Sequence, residues 1–248
     1  MNTGHAERIA AGVSFDWQAL PPLLESLEGV PAGVEALHFR RIKHSHRGLS
    51  RLISLKTLWA RGVDQAFLEE ISSLARLETL YVDGLTATDL TPLANNGALR
   101  RLILVGGTKV PDLAWVRGLP ADLRVLFLER FGHCPDLSPL TALRKLESLG
   151  FEGGMDGKVR VETLTPLAQL GGLRFLFLAG ARVEDRSLAP LAGLARLERL
   201  ECGGYFPDRE FTELRRALPR LECDWFDVIE KYGSVRAGMD ARIPRRKS

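Results

Sequence analysis

An apolar pattern that recurs eight times constrains this chain more than any other feature. Each unit opens with L-x-x-L-x-L spacing, as in Leu77, Leu80 and Val82, and continues with a second apolar pair such as Leu90 and Leu93. Successive units are 21, 22, 22, 24, 23, 27 and 24 residues apart and open at Val34, Leu55, Leu77, Leu99, Leu123, Leu146, Leu173 and Leu197. This period is typical of a solenoid in which each unit supplies one short strand and one return segment and buries its apolar face against its neighbours.

The return segments carry a second motif, seen in ATDLTPLANNGAL, CPDLSPLTALRKL, VETLTPLAQLGGL and RSLAPLAGLARL. These segments resemble the D-L-x-P-L-x-x-L return of bacterial, internalin-like leucine-rich repeats, and the resemblance covers roughly residues 34–221. It implies an α/β fold: a leucine-rich repeat solenoid with a parallel concave sheet, about eight repeats, and N- and C-terminal caps.

The chain departs from that family at the turn after each strand. The family usually places an Asn there, whose side chain bonds the backbone of neighbouring turns, whereas this chain has Val63, Leu85 and Ala181. We therefore expect the turns to depend on glycines that can adopt positive φ, namely Gly62, Gly84, Gly106, Gly153, Gly180 and Gly204.

The pattern divides the chain into four segments. We predict an N-terminal cap over residues 1–33, leucine-rich repeats over 34–221, a C-terminal cap over 222–232 and a basic tail, expected to be disordered, over 233–248. In the first segment, apolar spacing from Phe15 to Leu27 around Pro21 and Pro22 predicts a short amphipathic helix that covers the first repeat; a partner-binding helix is the alternative. A further helix is predicted between Pro207 and Pro219.

Composition narrows the function classes. The chain has 248 residues, 45% of them apolar and 26% charged, which predicts one elongated soluble domain. Its net charge of +3 is concentrated in the tail, so no nucleic-acid surface is expected on the folded body. Three cysteines without a paired spacing argue against a disulfide framework or a zinc site. No secretory signal and no apolar run of 18 residues is apparent, and we expect a cytoplasmic protein that contacts no membrane.

The middle residue of each strand's L-x-L core points away from the solenoid interior. Across the eight units this residue is His38, Trp59, Tyr81, Ile103, Phe127, Gly150, Phe177 and Glu201. With strands about 4.8 Å apart, the column from Trp59 to Phe177 extends roughly 24 Å. The position two residues earlier also faces outward and includes Arg101 and Phe175, and arginines such as Arg124 flank it.

This outward column predicts a binding face, because large aromatic residues and Arg are enriched where proteins bind one another. The predicted partner-binding residues are His38, Trp59, Tyr81, Arg101, Ile103, Arg124, Phe127, Phe175 and Phe177. The alternative is that neighbouring aromatic side chains stack across strands and stabilise the sheet without any partner. In the unit with the 27-residue interval, Gly150 is expected to leave a gap in the column beside a mobile glycine-rich loop.

Motifs for catalysis are missing from the sequence. There is no phosphate-binding loop, H-E-x-x-H or G-x-S-x-G. His44 and His46 lack a third metal ligand in register, and no third group is identifiable to orient His133 and Cys134.

We therefore predict a non-catalytic protein-protein interaction module that binds a macromolecular partner on its concave face, as an inhibitor, an immunity-type protein or an adaptor. It needs no cofactor or metal, and a monomer is expected in preference to a homo-oligomer. The alternatives are an enzyme with a loop-borne site near His44 or His133 and a structural homo-oligomer joined through the aromatic column.

Overall fold

A nine-stranded parallel sheet forms one face of the molecule in the computed structural model, which describes residues 3–154 and 157–242. Its strands are β1 (Leu23–Leu24), β2 (Ala36–Arg40), β3 (Thr57–Arg61), β4 (Thr79–Asp83), β5 (Arg101–Val105), β6 (Val125–Glu129), β7 (Ser148–Glu152), β9 (Phe175–Leu178) and β11 (Arg199–Cys202). They are arranged in chain order. Two further strands, β8 (Val159–Val161) and β10 (Ala181–Val183), pair in a small second sheet. The predicted solenoid is confirmed, with one strand of the large sheet for each of the eight repeats.

Strand register is the one that the apolar pattern predicts. His38 pairs with Trp59, Trp59 with Tyr81, and the same column continues through Ile103, Phe127, Gly150, Phe177 and Glu201. The flanking leucines, such as Leu126 and Leu149, point inward and are completely buried. Because side chains alternate along a strand, this register fixes the composition of the whole outer face of the sheet.

The return segments take two forms, α-helix and short 3₁₀ turn. In the second repeat the return lacks proline and forms the helix α2 (Gln65–Ser72), whose N-terminus is capped by Asp64 accepting a hydrogen bond from Phe67 N at 3.0 Å. Six other returns form short 3₁₀ turns, and four of these carry Pro in their first two positions. The 3₁₀ turns span Leu49–Arg51, Thr91–Asn95, Ala114–Gly118, Ser138–Ala142, Thr165–Gln169 and Ala189–Leu191.

Backbone hydrogen bonds continue past the strand ends and replace the missing asparagine ladder. Gly62 N donates to Asp83 O at 2.8 Å, and Gly106 N donates to Glu129 O at 3.1 Å. Four of the predicted turn glycines have positive φ, namely Gly62, Gly84, Gly106 and Gly180. The prediction is wrong for Gly153 and Gly204, which are glycine for another reason: a Cβ would overlap the Gly157 carbonyl at the first and the Trp225 ring at the second.

The N-terminal segment differs from the prediction. Its helix, α1, spans Thr3–Ala10, and the stretch from Phe15 to Leu27 contains no helix. Instead, Leu23 and Leu24 form β1 and pair with His38 and Phe39. An edge strand satisfies backbone groups that a helix interrupted by two adjacent prolines would leave unpaired.

The C-terminal segment contains three helices, α3 (Asp208–Ala217), α4 (Asp224–Tyr232) and α5 (Val235–Arg242). The predicted helix between Pro207 and Pro219 is confirmed as α3. The disorder predicted from residue 233 is wrong for α5, because Val235 is buried in the core and its N–H donates to Asp208 Oδ1 at 3.0 Å. Arg245, Arg246 and Lys247 of the predicted tail lie outside the described residues. Within the described part of the chain, no helix has the length and apolar character needed to cross a membrane.

Candidate binding face

Residues 3–20, which we call the strap, lie across the outward face of the large sheet. The strap begins with α1 over β7, β9 and β11, continues in non-helical conformation over β6 and β5, and reaches β4 and β3 at Phe15. The chain then enters the sheet as β1 beside β2. The surface that the sequence predicts for a partner is therefore covered along its centre by the protein's own N-terminus.

Arg8 anchors the first end of the strap. Its Nη2 lies 2.6 Å from Glu152 Oε1 on β7 and 2.8 Å from Glu201 Oε1 on β11, and its guanidinium carbon is 4.9 Å from the centre of the Phe177 ring. Burial alone would lower the pKa of Arg8, but hydrogen bonds and charge from the two carboxylates outweigh it and raise that pKa. The cation is thus held by two acids and an aromatic face at once.

In the middle of the strap, every second residue is apolar and buried against the sheet. Ala11, Val13 and Phe15 are buried against Ile103, Phe127 and Phe177, in a cluster separate from the main core of the solenoid. Ser148 Oγ donates a hydrogen bond to Ala11 O at 2.6 Å. Gly12, between Ala11 and Val13, has φ +77° and lies close to Val125 and Arg101. A side chain at this position would be both strained and crowded.

An aromatic group forms the second anchor. The Phe15 ring meets Trp59 and Tyr81 edge to face at centroid distances of 5.5 and 5.6 Å, and Trp17 meets Tyr81 at 5.3 Å. Arg101 lies over the Phe15 ring at 5.3 Å. Burial, with a smaller contribution from Asp83, raises the pKa of Tyr81 to about 12. This cluster is the largest aromatic assembly on the face.

The predicted site residues separate into four groups. Ile103, Phe127 and Phe177 are buried beneath the strap, whereas Trp59, Tyr81, Arg101 and Phe175 are partly exposed beside it. His38 is also buried; its Nδ1 lies 3.2 Å from Pro21 O, and Arg61 Nε donates to its Nε2 at 3.1 Å. Arg124 lies one position before β6, outside the outward face, and forms an ion pair with Glu147.

One further column was missed by the sequence reasoning. The residue after each L-x-L core also faces outward, and it is Arg40, Arg61, Asp83, Val105, Glu129 and Glu152 from β2 to β7. This column is basic at the first repeats and acidic towards the middle. Burial raises the pKa of both Glu129 and Glu152, the latter despite the opposing effect of Arg8. The signal was present in the sequence, because the same alternation extends one residue past the last leucine.

The gap expected at Gly150 is filled. The Phe127 ring lies over Gly150, and a Cβ at that position would overlap the ring. Just beyond, Gly153 N donates to Ala179 O at 3.0 Å and the chain returns as β8, which pairs with β10. Met155 and Asp156, at the centre of the predicted mobile loop, lie outside the described residues.

The residues considered for catalysis are not assembled into a site. Cys134 is buried, its Sγ donates to Val110 O at 3.7 Å, and burial raises its pKa to about 12, which disfavours the nucleophilic thiolate. Its neighbour His133 is exposed. His46 is buried against Phe67, with its ring centre 6.4 Å from that of His44. In the described ranges, no group of three His, Cys, Asp or Glu residues could hold a metal ion.

Comparison with solved structures identifies the fold. Internalin C2 from Listeria monocytogenes is 22% identical, with 76% of this chain and 74% of that chain covered and a TM-score of 0.53. Internalin InlF from the same organism is 20% identical, covering 68% of this chain, and has a TM-score of 0.47; the match spans 54% of the InlF chain. The Arabidopsis receptor kinase HAESA, solved with a peptide hormone and a co-receptor, is 16% identical over 68% of this chain and 30% of its own, with a TM-score of 0.50. No protein-family model and no curated protein sequence matches the chain.

Proposed function

We propose that this leucine-rich repeat protein is a non-catalytic module that binds a protein partner on its concave face. The observation that carries the proposal is the outward column from Trp59 to Phe177, which has a large apolar side chain on every strand except β7, where Gly150 lies under the Phe127 ring. The column already accommodates a peptide segment, the strap. A surface that buries one apolar segment through side-chain contacts has the chemistry to bind another.

Several exposed groups near the strap suit such a contact. Trp17 is 41% exposed where it meets Tyr81, and Phe175 lies partly exposed beside α1. Arg101 has no carboxylate within ion-pair distance among the described residues, and burial lowers its pKa. A partner that supplied a carboxylate to Arg101 would gain a charge-assisted hydrogen bond.

Capture of the partner by matched variants tests the proposal. The full-length chain, Tyr81→Ala and Ile53→Ala would each be purified from the native cell after mild crosslinking, and bound proteins quantified by mass spectrometry. Ile53, which is 71% exposed in the turn that precedes β3, is the control for loss of an exposed apolar side chain. We expect one stoichiometric protein with the wild type and Ile53→Ala, and a loss of about 2 kcal/mol or more in affinity for Tyr81→Ala.

Two results would contradict the proposed function. A partner that Tyr81→Ala retains and Ile53→Ala loses would place binding outside the concave face. A light-scattering mass that doubles with concentration, with no second protein captured, would indicate self-association through the aromatic column. Thermal unfolding of both variants shows whether any loss of binding reflects loss of the fold.

A further inference from the structure

The strap is attached to the sheet in a way that permits its release. Every backbone-to-backbone hydrogen bond made by residues 3–20 of the described chain stays within the strap, as in Ala11 N to Glu7 O and Ala19 N to Asp16 O. Its side chains attach to the sheet through the Arg8 hydrogen bonds to Glu152 and Glu201, a Glu7–Arg199 ion pair and apolar contacts. Its backbone accepts one hydrogen bond from the sheet, from Ser148 Oγ to Ala11 O. Its departure would leave the strand ladder intact.

The strap is also separate from the core that holds the repeats together. Ala11, Val13 and Phe15 belong to the outer cluster, while the leucines of the repeats form the main core. Asp16, Trp17, Gln18 and Ala19, which lie in the strap between its buried middle and β1, are all exposed. An exposed link between a surface segment and a sheet is where a hinge is expected.

The two ends of the strap occupy sites of different chemistry. The acidic site consists of Glu152, Glu201 and the Phe177 ring, and Glu152 is only 7% exposed. The aromatic site consists of Trp59 and Tyr81, with Arg101 beside them. A cation on any segment that replaced the strap would be favoured here, because it would restore the ion pairs that Arg8 makes with Glu152 and Glu201. Without a cation, the buried Glu152 carboxyl would have to stay charged at a cost or take up a proton.

We propose that the strap is an internal stand-in for the segment by which the partner binds. The partner's segment carries an arginine and, about seven residues later, an aromatic residue with small apolar residues between them, and it binds by displacing the strap. Arg8 and Phe15 define this spacing. The inference rests on the proposed function, and it adds both the chemistry of the partner and an autoinhibited resting state, in which the tethered strap competes at high local concentration.

A synthetic peptide of residues 3–20 is the probe, because its chemistry is the one proposed for the partner. Its binding would be measured by fluorescence anisotropy to the full-length wild type and to a full-length Arg8→Ala/Phe15→Ala variant in which the strap is weakened. We expect the peptide to bind the variant about tenfold more tightly or better. The same peptide with Arg8→Glu is expected to lose binding, since it places an acid against Glu152 and Glu201.

Controls separate release of the strap from damage to the fold. Arg160→Ala removes an arginine whose side chain is 79% exposed on β8, and this variant should bind the peptide no better than the wild type does. Hydrogen exchange should show faster exchange of strap amides in the double variant and unchanged exchange in β4 to β7. If the double variant does not fold, a protease site is placed at the exposed residues 16–19 of the otherwise wild-type chain and cut after folding. The labelled peptide should then replace the cleaved strap on the sheet.

Three outcomes would overturn the inference. They are a folded variant with a released strap that does not bind the peptide, a variant whose strap amides stay protected, and a mass that doubles because a second copy supplies its strap. The peptide assay needs no natural partner, so its failure would leave a captured partner of the concave face unaffected. Conversely, peptide binding with no captured partner would support a displaceable strap and would count against the proposed function and the partner segment that rests on it.

Discussion

Glu152 shows how a single side chain on the face is governed by its surroundings. It lies at the end of β7, covered by the strap, with Arg8 on one side and Glu129 and Glu201 adding negative charge. Desolvation destabilises the charged form of Glu152 more than Arg8 stabilises it, so the pKa of the carboxyl group is raised above its ordinary 4.5. Removing one partner of such a buried pair typically costs about 3–5 kcal/mol of folding free energy.

This raised pKa predicts a pH dependence of stability with a definite sign. Because the folded state holds the Glu152 proton more tightly than the unfolded state, the stabilisation is fully present below pH 4.5 and is lost as the pH rises through the folded pKa. The free energy of unfolding of the wild type, measured relative to Glu152→Gln in urea, should therefore fall as the pH rises above 4.5. The expected loss is about 1.4 kcal/mol for each unit by which the pKa is raised.

Glu198→Gln is the matched control, with the opposite sign. Hydrogen bonding and charge from Arg174 lower the pKa of Glu198, so its contribution is present above pH 4.5 and is lost as the pH falls below that value. Its side chain is about half exposed, and the effect should be small. A wild-type stability that changes in the same direction relative to both variants would contradict the roles given to burial and to Arg174.

At the scale of the element, the repeats were predictable and the strap was not. The apolar pattern of each strand recurs eight times, so an ambiguous assignment in one repeat is resolved by the others. The strand register and the outward column therefore follow from the period of the pattern. The strap occurs once, and the alternation of Ala11, Val13 and Phe15 is too short a run to predict an element. The helix predicted from Phe15 to Leu27 is accordingly wrong. The surface that the strap covers is formed by residues up to 193 positions away, which no local pattern indicates.

The helix α5 is a second element that composition mispredicted. Its basic, glycine-containing sequence is typical of a disordered end, but Val235 is buried and Gly238 faces Val228 of α4 without a Cβ between them. Packing of these few apolar atoms outweighs the low helix propensity of glycine.

The role of α5 is testable by comparing a chain that ends at Arg242 with one that ends at Gly233. The shorter chain exposes Val228 and loses the buried Val235, so its free energy of unfolding should be lower by about 2–4 kcal/mol. Chemical denaturation followed by circular dichroism measures the difference. The control is Arg236→Ala in the longer chain, which removes an exposed side chain of α5 and should change stability by about 0.5 kcal/mol or less. Equal stability of the two chains would show that α5 contributes nothing to the fold.

At the scale of the whole molecule, the strap links repeats that otherwise do not touch. In a solenoid each repeat contacts its immediate neighbours, so stability is close to a sum of local contributions. Here Phe15 contacts β3 and β4 while Arg8 contacts β7 and β11, so one short segment connects the third strand of the sheet with the last. The array and the strap must therefore match in length.

Duplication of one repeat within this span tests that match. A second copy of residues 123–145 inserted after residue 145 would add one strand between the two anchor sites and separate them by about 4.8 Å more. The inward leucines are the same in the copy, so the solenoid should fold and gain strand signal in circular dichroism. The strap, however, should reach only one anchor site or unwind the last turn of α1 to reach both. We expect faster hydrogen exchange at the α1 amides, comparable with that of full-length Arg8→Ala. If the α1 amides exchange in the longer array as slowly as in the wild type, the strap can reach both anchor sites across the added strand. Its length would then not be matched to the distance between Glu152 and Tyr81.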